Sequence, residues 1–236
     1  MKVIFAGTPS FSAFHLSLLL RSRNEVKAVL TQPDRRSGRG SKVVKSPVKL
    51  LSEKEKIITF QPQTLKNNKE IIKELDQIKP DLVLVVAYGL IVPKEVLILP
   101  KFGCINVHAS LLPKWRGAAP IERSILEGDS EGGITFMKMD EGLDTGPIMK
   151  KVPCPLDKDE NSETLKRKYQ DLSKDKLINF LEALEEGKID EIQQDSSQAT
   201  YAEKITNQDT EILWHKSGAE YIERKVRAFF PKYGAF

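Results

Sequence analysis

The chain has 236 residues, 40% hydrophobic and 30% charged, which suits one large domain or a domain plus a fragment of another and excludes a disordered or fibrous polymer. Its 37 basic and 33 acidic side chains leave a net charge of only +4, and its two cysteines cannot build a disulfide framework, so a reducing, cytoplasmic setting is expected. The longest apolar run, Asp81 to Tyr88, is too short to span a bilayer, and scattered His15, His108 and His215 offer no metal-ligand spacing, so neither membrane nor metal is expected.

Residues 2–6 read as a buried strand ending at Gly7, with none of the long apolar core of a signal peptide before it. The turn that follows, Gly7-Thr-Pro-Ser10, lacks the Gly-x-Gly-x-x-Gly that brings a backbone against a pyrophosphate, so a dinucleotide-dependent dehydrogenase is a poor fit. A helix is expected next, with Phe11, Phe14, Leu18 and Leu19 sharing a face, then a strand over Val26 to Leu30.

From Thr31 to Lys49 the chain carries Arg35, Arg36, Arg39, Lys42, Lys45 and Lys49 against Asp34 alone, so this segment holds the whole positive excess. Its Gly and Ser content is that of a mobile loop. The loop is either a solvated surface or a contact for a phosphate-rich partner. A short strand over Ile57 to Phe60, a helix over Glu70 to Ile78 stopped by Pro80, and a continuous apolar strand over Leu82 to Ala87 follow. Further strands are expected over Gly103 to His108 and Gly133 to Met139, with an edge strand over Ile148 to Val152. Strands alternating with helices imply a doubly wound, mostly parallel α/β sheet that binds ligands beyond its carboxyl ends.

After Pro155 the composition changes. Ser162 to Glu186 reads as a charged amphipathic helix with Leu165, Tyr169, Leu172, Phe180, Leu181 and Leu184 inward, and residues 187–210 as a polar linker. Ser217 and Glu220 then fit a capping box opening a helix whose Ala219, Ile222, Val226 and Phe229 share a face.

Chemistry concentrates in Gly103-Cys-Ile-Asn-Val-His-Ala-Ser110. Side chains alternate along a strand, so Asn106 and His108 share one face at its carboxyl end. An amide that can donate to a developing oxyanion beside an imidazole that can move protons makes an acyl-transfer pair; the alternative is that both only bind local backbone. In Met139-Asp-Glu-Gly-Leu-Asp-Thr-Gly146, both Asp140 and Asp144 are spaced to reach His108, although turn acids also bind their own backbone. Pro113, Pro120 and Gly117 stiffen the segment after the strand into a plausible wall for a flat ligand.

Asn106-x-His108 with Ser110-Leu-Leu-Pro113 and Gly142-Leu-Asp-Thr-Gly146 resembles the formyltetrahydrofolate-dependent formyltransferase family. Trp115-Arg-Gly-Ala-Ala-Pro-Ile121, Thr31-Gln-Pro-Asp-Arg35, Gly38-Arg-Gly40, Ser46-Pro-Val-Lys49, Val86-Ala-Tyr-Gly-Leu90 and Thr200-Tyr-Ala-Glu-Lys204 resemble the branch that formylates methionine on initiator tRNA, in order and over nearly the whole chain. The resemblance implies a Rossmann-like domain that moves a formyl group from 10-formyltetrahydrofolate to initiator methionyl-tRNA. Asn106 and His108 would stabilise the oxyanion, and Asp144 would hold His108 and help the amine lose its proton. The pterin would lie near Tyr88, Gly89, Leu90 and Ile91, Ser110, Leu111, Leu112 and Pro113, and Asp140. Arg35, Arg36, Arg39, Lys42, Lys45 and Lys49 would meet tRNA, with Arg39 in direct contact. The expected divisions are a catalytic domain over 1–189, a linker over 190–210 and, over 211–236, the start of a C-terminal domain; family members continue into a β-barrel where this chain reads Arg227 to Phe236, with Pro231-Lys-Tyr233 replacing their Pro-Trp-Pro. A monomer is expected. A small-molecule acceptor, an amino sugar or glycinamide ribonucleotide, and a non-catalytic folate- or RNA-binding remnant are the alternatives.

Overall fold

The computed structural model describes residues 1–37 and 42–236. Its elements run β1 (Lys2–Gly7), α1 (Ser10–Leu20), β2 (Glu25–Leu30), β3 (Arg35–Ser37), β4 (Lys42–Val44), α2 (Pro47–Lys54), β5 (Ile58–Phe60), α3 (Lys69–Ile78), β6 (Leu82–Val86), α4 (Lys94–Leu97), β7 (Cys104–His108), β8 (Arg116–Gly117), α5 (Pro120–Glu127), β9 (Glu131–Lys138), β10 (Ile148–Pro155), α6 (Ser162–Glu185), β11 (Tyr201–Ala202), α7 (Asn207–Thr210) and α8 (Ala219–Phe229). Seven strands form one sheet in the order β10-β9-β7-β6-β1-β2-β5, parallel from β7 through β5 and antiparallel at β9 and β10. This is the doubly wound, mostly parallel, Rossmann-like sheet that the alternation of elements predicts, with β10 at the edge.

The period of two decides which residues meet which layer. Val3 and Phe5 of β1, Leu82, Leu84 and Val86 of β6, and Ile105 and Val107 of β7 enter one core, which α1, α5, α6 and α8 cover. Ile4, Ala6, Val83, Val85 and Cys104 enter the other, closed by Leu75 of α3 and Val96 of α4. Every residue of β6 is buried, as a strand covered on both faces must be. Across the first core the rings of Phe136 and Phe180 stack with centroids 4.4 Å apart. The chain leaves β1 toward β2 on one side, while β6 continues to β7 on the other. Their carboxyl ends therefore open a crevice at the point where the strand order reverses, where α/β sheets bind ligands.

Several local expectations need correction. The buried stripe of α1 is Phe11, Ser12, His15, Leu16 and Leu19, with Phe14 and Leu18 only half-buried. It rotates because two polar residues find partners inside: Ser12 Oγ donates to the Val86 carbonyl at 2.5 Å, and His15 bonds Phe11 O at 2.8 Å and Ser173 Oγ at 2.9 Å. In α6, Leu172 is half-buried and Ser173 and Leu177 complete the inner face. The capping box at Ser217 does not form; Gly218 is the cap, without a side-chain bond. In α8, Ala219 and Val226 are exposed while Phe229 is buried, joined by Ala228 and by Lys225, whose ammonium reaches the Glu211 carbonyl. The basic segment is not all loop, since β3 and β4 pair as an antiparallel ribbon.

Helices α2 and α5 were not anticipated, although both begin with Pro at the first turn and Ser46 caps α2 by accepting the Lys49 N–H at 3.0 Å. Residues 190–210 run along the main sheet's site end. Ile192 exchanges two 2.8 Å backbone bonds with Ile148, and β11 pairs with β8.

Candidate active site

Strand β7 delivers Asn106 and His108 at its carboxyl end, on the side opposite Ile105 and Val107, while its antiparallel neighbour β9 sets Thr135 beside His108. Thr135 Oγ1 donates to Ser110 O at 2.6 Å and accepts the Leu112 N–H at 3.2 Å, which turns the chain sharply after the strand. The Leu112–Pro113 peptide is cis. The turn returns the Trp115 carbonyl to 2.8 Å from His108 Nε2. A carbonyl only accepts, so Nε2 carries a proton.

The loop after β9 supplies the acid, and its two aspartates differ in role. Asp140 Oδ1 accepts the Gly142 N–H at 3.0 Å and the Thr145 hydroxyl at 2.7 Å, so it is spent closing its own turn. Asp144 is the one that reaches inward. Its Oδ1 accepts from Asn106 Nδ2 at 3.2 Å; its Oδ2 accepts the Gly117 N–H at 2.8 Å and lies 3.6 Å from His108 Nδ1. The His108 and Asp144 side chains are 6% and 13% exposed, so this cluster is largely shielded from water. Asp144 adopts φ +53°, in the left-handed region. At Gly146 an added Cβ would stand 2.0 Å from the Lys138 carbonyl, so only glycine lets the loop close this tightly.

The segment 88–91 follows β6 at the crevice. The Tyr88 carbonyl accepts from Thr8 Oγ1 and Gln32 Nε2, both at 2.9 Å. Its ring is buried in the second core, burial pushes its hydroxyl pKa up, and Oη has no partner among the described residues. Gly89 sits at φ +80°, Leu90 packs on the second core and Ile91 is 79% exposed. Met139 packs on the same core, and Lys94 Nζ of α4 lies 3.1 Å from Glu141 Oε1 in the Asp140 loop. Leu112 is wholly buried against Met137 and Ile148, and Ser110 Oγ is committed to Lys114 O at 2.6 Å, with Leu111 and Pro113 half-buried. At Tyr88, Ser110 and Leu112 only backbone is left to meet a ligand. A concavity of about 500 Å3 behind the turn, between Leu111, Lys114, Gly132 and Tyr169, and another of about 640 Å3 along α6 contain none of Asn106, His108 or Asp144.

The basic residues divide. Lys49 Nζ lies 2.6 Å from Asp34 Oδ2 and Lys45 Nζ 2.7 Å from Glu53 Oε2. The bond from Lys49, helped by one from Gln61, holds the Asp34 carboxyl below its usual range. Arg35 is exposed on β3; Arg36 and Lys42 are described only as backbone of the ribbon, and Arg39 lies outside the described residues. Among the described residues no cluster of three His, Cys, Asp or Glu could hold a metal, and no helix is long and apolar enough to cross a membrane.

Sequence reasoning missed two contributors. Gln194, in the polar stretch read as a linker, donates to the carbonyls of Asp144 and Gly146, and Arg116 grips Gln194 in turn. Nothing local marks Gln194; only the folded chain brings it fifty residues back.

A family model described as formyl transferase matches residues 1–181. The methionyl-tRNA formyltransferase of Legionella pneumophila strain Corby is 48% identical over 231 residues, covering 98% of this chain and 73% of the relative; that of strain Paris matches equally. Among solved structures, a 4-N formyltransferase from Francisella tularensis superposes with a TM-score of 0.75 at 19% identity, covering 97% of this chain and 87% of the other. An N-formyltransferase from Helicobacter canadensis, solved with folinic acid and dTDP-3-aminofucose, gives 0.71 at 21% identity, with 97% and 80% covered.

Proposed function

Because this chain belongs to the formyl transferase family, and within it to the methionyl-tRNA formyltransferases, we propose that it transfers a formyl group from 10-formyltetrahydrofolate to the α-amino group of methionyl-initiator tRNA, the step that readies this tRNA for translation initiation. The observation that carries the reading is the joining of Asn106, His108 and Asp144 at the end of β7, beside the Tyr88–Ile91 segment that follows the neighbouring strand β6. Backbone groups and exposed Ile91 offer a flat co-substrate a place to lie.

The reaction needs a neutral amine to attack the formyl carbon. As the new C–N bond forms, the carbonyl electron pair moves to oxygen. Asn106 Nδ2 has two N–H bonds, one given to Asp144 Oδ1, so the other can meet this oxyanion. Both nitrogens of His108 are differently engaged: Nε2–H points to the Trp115 carbonyl, and Nδ1 stands before Asp144. That division reassigns the roles expected from sequence. Asn106 stabilises the oxygen, while His108 Nδ1 takes the proton of the attacking nitrogen and Asp144 stabilises the resulting imidazolium. Collapse then breaks the bond to N10 of the folate, which receives the same proton, and leaves tetrahydrofolate and formylmethionyl-tRNA.

The nucleic-acid half of the reading rests on the charge of the segment from Thr31 to Lys49, whose sequence carries Arg35, Arg36, Arg39, Lys42, Lys45 and Lys49 against Asp34 alone on an otherwise near-neutral chain. The test offers methionyl-tRNA and a nucleotide-linked amino sugar separately as acceptors with 10-formyltetrahydrofolate. Formylation of methionyl-tRNA alone, slowing steeply between 50 and 200 mM salt, is expected. Formylation of the amino sugar in preference would sink the assignment of acceptor while keeping the chemistry.

A further inference from the structure

The backbone of Asp144 needs explaining, because φ +53° costs a non-glycine residue about 1 kcal/mol or more and persists only where the surroundings enforce it. Gln194 supplies the enforcement. Its Nε2 donates both N–H bonds into the loop, to Asp144 O at 2.8 Å and Gly146 O at 2.7 Å. Its Oε1 accepts two N–H bonds from Arg116, from Nε at 3.1 Å and Nη2 at 2.8 Å. A guanidinium has no acceptor and the loop carbonyls have no donor, so the amide can face only one way and every one of its bonds is made.

Arg116 is 2% exposed and pairs with no carboxylate among the described residues. Burying a guanidinium without a counter-ion is costly, and a merely structural plug at this place would be cheaper as an apolar side chain. The cost is borne beside the reacting groups. Through Gln194, Arg116 fixes the backbone of Asp144, and the next residue, Gly117, binds the Asp144 carboxyl through its N–H at 2.8 Å. Strand pairing holds the clamp on both sides, because Ile192 is bonded to Ile148, and Arg116 N–H donates to Thr200 O at 2.8 Å.

We propose that Gln194, clamped by Arg116, is the positioning residue that sets Asp144 against His108 and Asn106. The inference rests on the formyl-transfer reading. Gln194 touches no reacting atom; a shift of Asp144 by about 1 Å would cost the reaction on the order of 100-fold.

Gln194→Glu is the sharp variant. It keeps the size and the grip of Arg116, now charge-assisted, but replaces the donors to Asp144 O and Gly146 O with an oxygen. Gln194→Ala removes both sides. Single-turnover transfer to methionyl-tRNA at saturating substrates should fall about 10- to 100-fold in each, with KM for folate and tRNA unchanged within about 2-fold and the fold retained by circular dichroism. In an Asp144→Asn background, Gln194→Ala should cost less than about 2-fold, because a residue acting through Asp144 has nothing left to position. Unchanged rates in both variants, equal losses in both backgrounds, or loss of the fold in both variants would each overturn the proposal. Failure of the unaltered protein to transfer formyl at all would instead overturn the formyl-transfer reading, and this inference with it.

Discussion

Asn106 makes the most exposed claim at the scale of single residues, since its one uncommitted N–H is assigned to the oxyanion. Asn106→Ala should lower the transfer rate about 10²- to 10³-fold while folate affinity changes little, as removal of one oxyanion donor does. His108→Ala and Asp144→Asn act on one proton, so the double variant should be barely slower than the worse single one, read by single-turnover rates. This much was legible in Asn106-x-His108, because a period of two places both on one face whatever else the chain does. The choice between Asp140 and Asp144 was not. Both are spaced to reach and only the family resemblance pointed to Asp144; the closed turn, with Thr145 and Gly142 bound to Asp140, gives the physical reason that Asp140 is spent. The imidazole's division of labour was also hidden, because it depends on a carbonyl, that of Trp115, which the sequence does not mark.

Helices show why apolar patterning predicts an element well and its buried face less well. Helix α1 was placed correctly but turned, since Ser12 and His15 are buried with satisfied hydrogen bonds while Phe14 is half in water. A carbonyl at Phe11 fixes the Nδ1 proton of His15, and Nε2 lies 2.9 Å from Ser173 Oγ on α6, whose one proton is shared between this contact and the Tyr169 carbonyl, so the ring ties the two helices together. Burial lowers the His15 pKa from 6.5 to about 4. The folded state thus resists a proton that the unfolded chain accepts: the contribution is complete above pH 6.5 and fades as pH falls toward 4, by about 3 kcal/mol. Denaturant unfolding should therefore show the gap between wild type and His15→Gln narrowing by that order from pH 7 to pH 4; a constant gap would refute the role. At the start of α6, Asn161 accepts the N–H groups of Glu163 and Thr164 at 2.9 and 3.0 Å, so Asn161→Ala should cost about 1 kcal/mol in the same measurement.

The whole molecule places its chemistry where two architectural facts coincide: the reversal of strand order between β1 and β6, and the loop after antiparallel β9, which leaves beside the start of β7, with Lys138 opposite Ile105, and folds back so that Asp144 reaches Asn106 and the Gly117 N–H. The first was legible from alternating apolar strands and helices. The second, with the return of residues 190–210 to the site, was not, because polar segments that bind backbone look like linkers. The basic segment announced itself by charge alone, yet two of its lysines are tied to Asp34 and Glu53. Arg35→Ala should therefore reduce the salt slope of tRNA binding by about 1, whereas Lys49→Ala, whose charge is already matched, should leave the slope nearly unchanged. The chain spans 73% of the length of the relatives it resembles, and Asn106, His108 and Asp144 all fall within the part it shares with them. The most direct test is single-turnover transfer from 10-formyltetrahydrofolate to methionyl-tRNA by this 236-residue chain. The account predicts formylmethionyl-tRNA at saturating tRNA, and its loss in His108→Ala with folate still bound. A folded, folate-bound wild-type protein that forms none would contradict it.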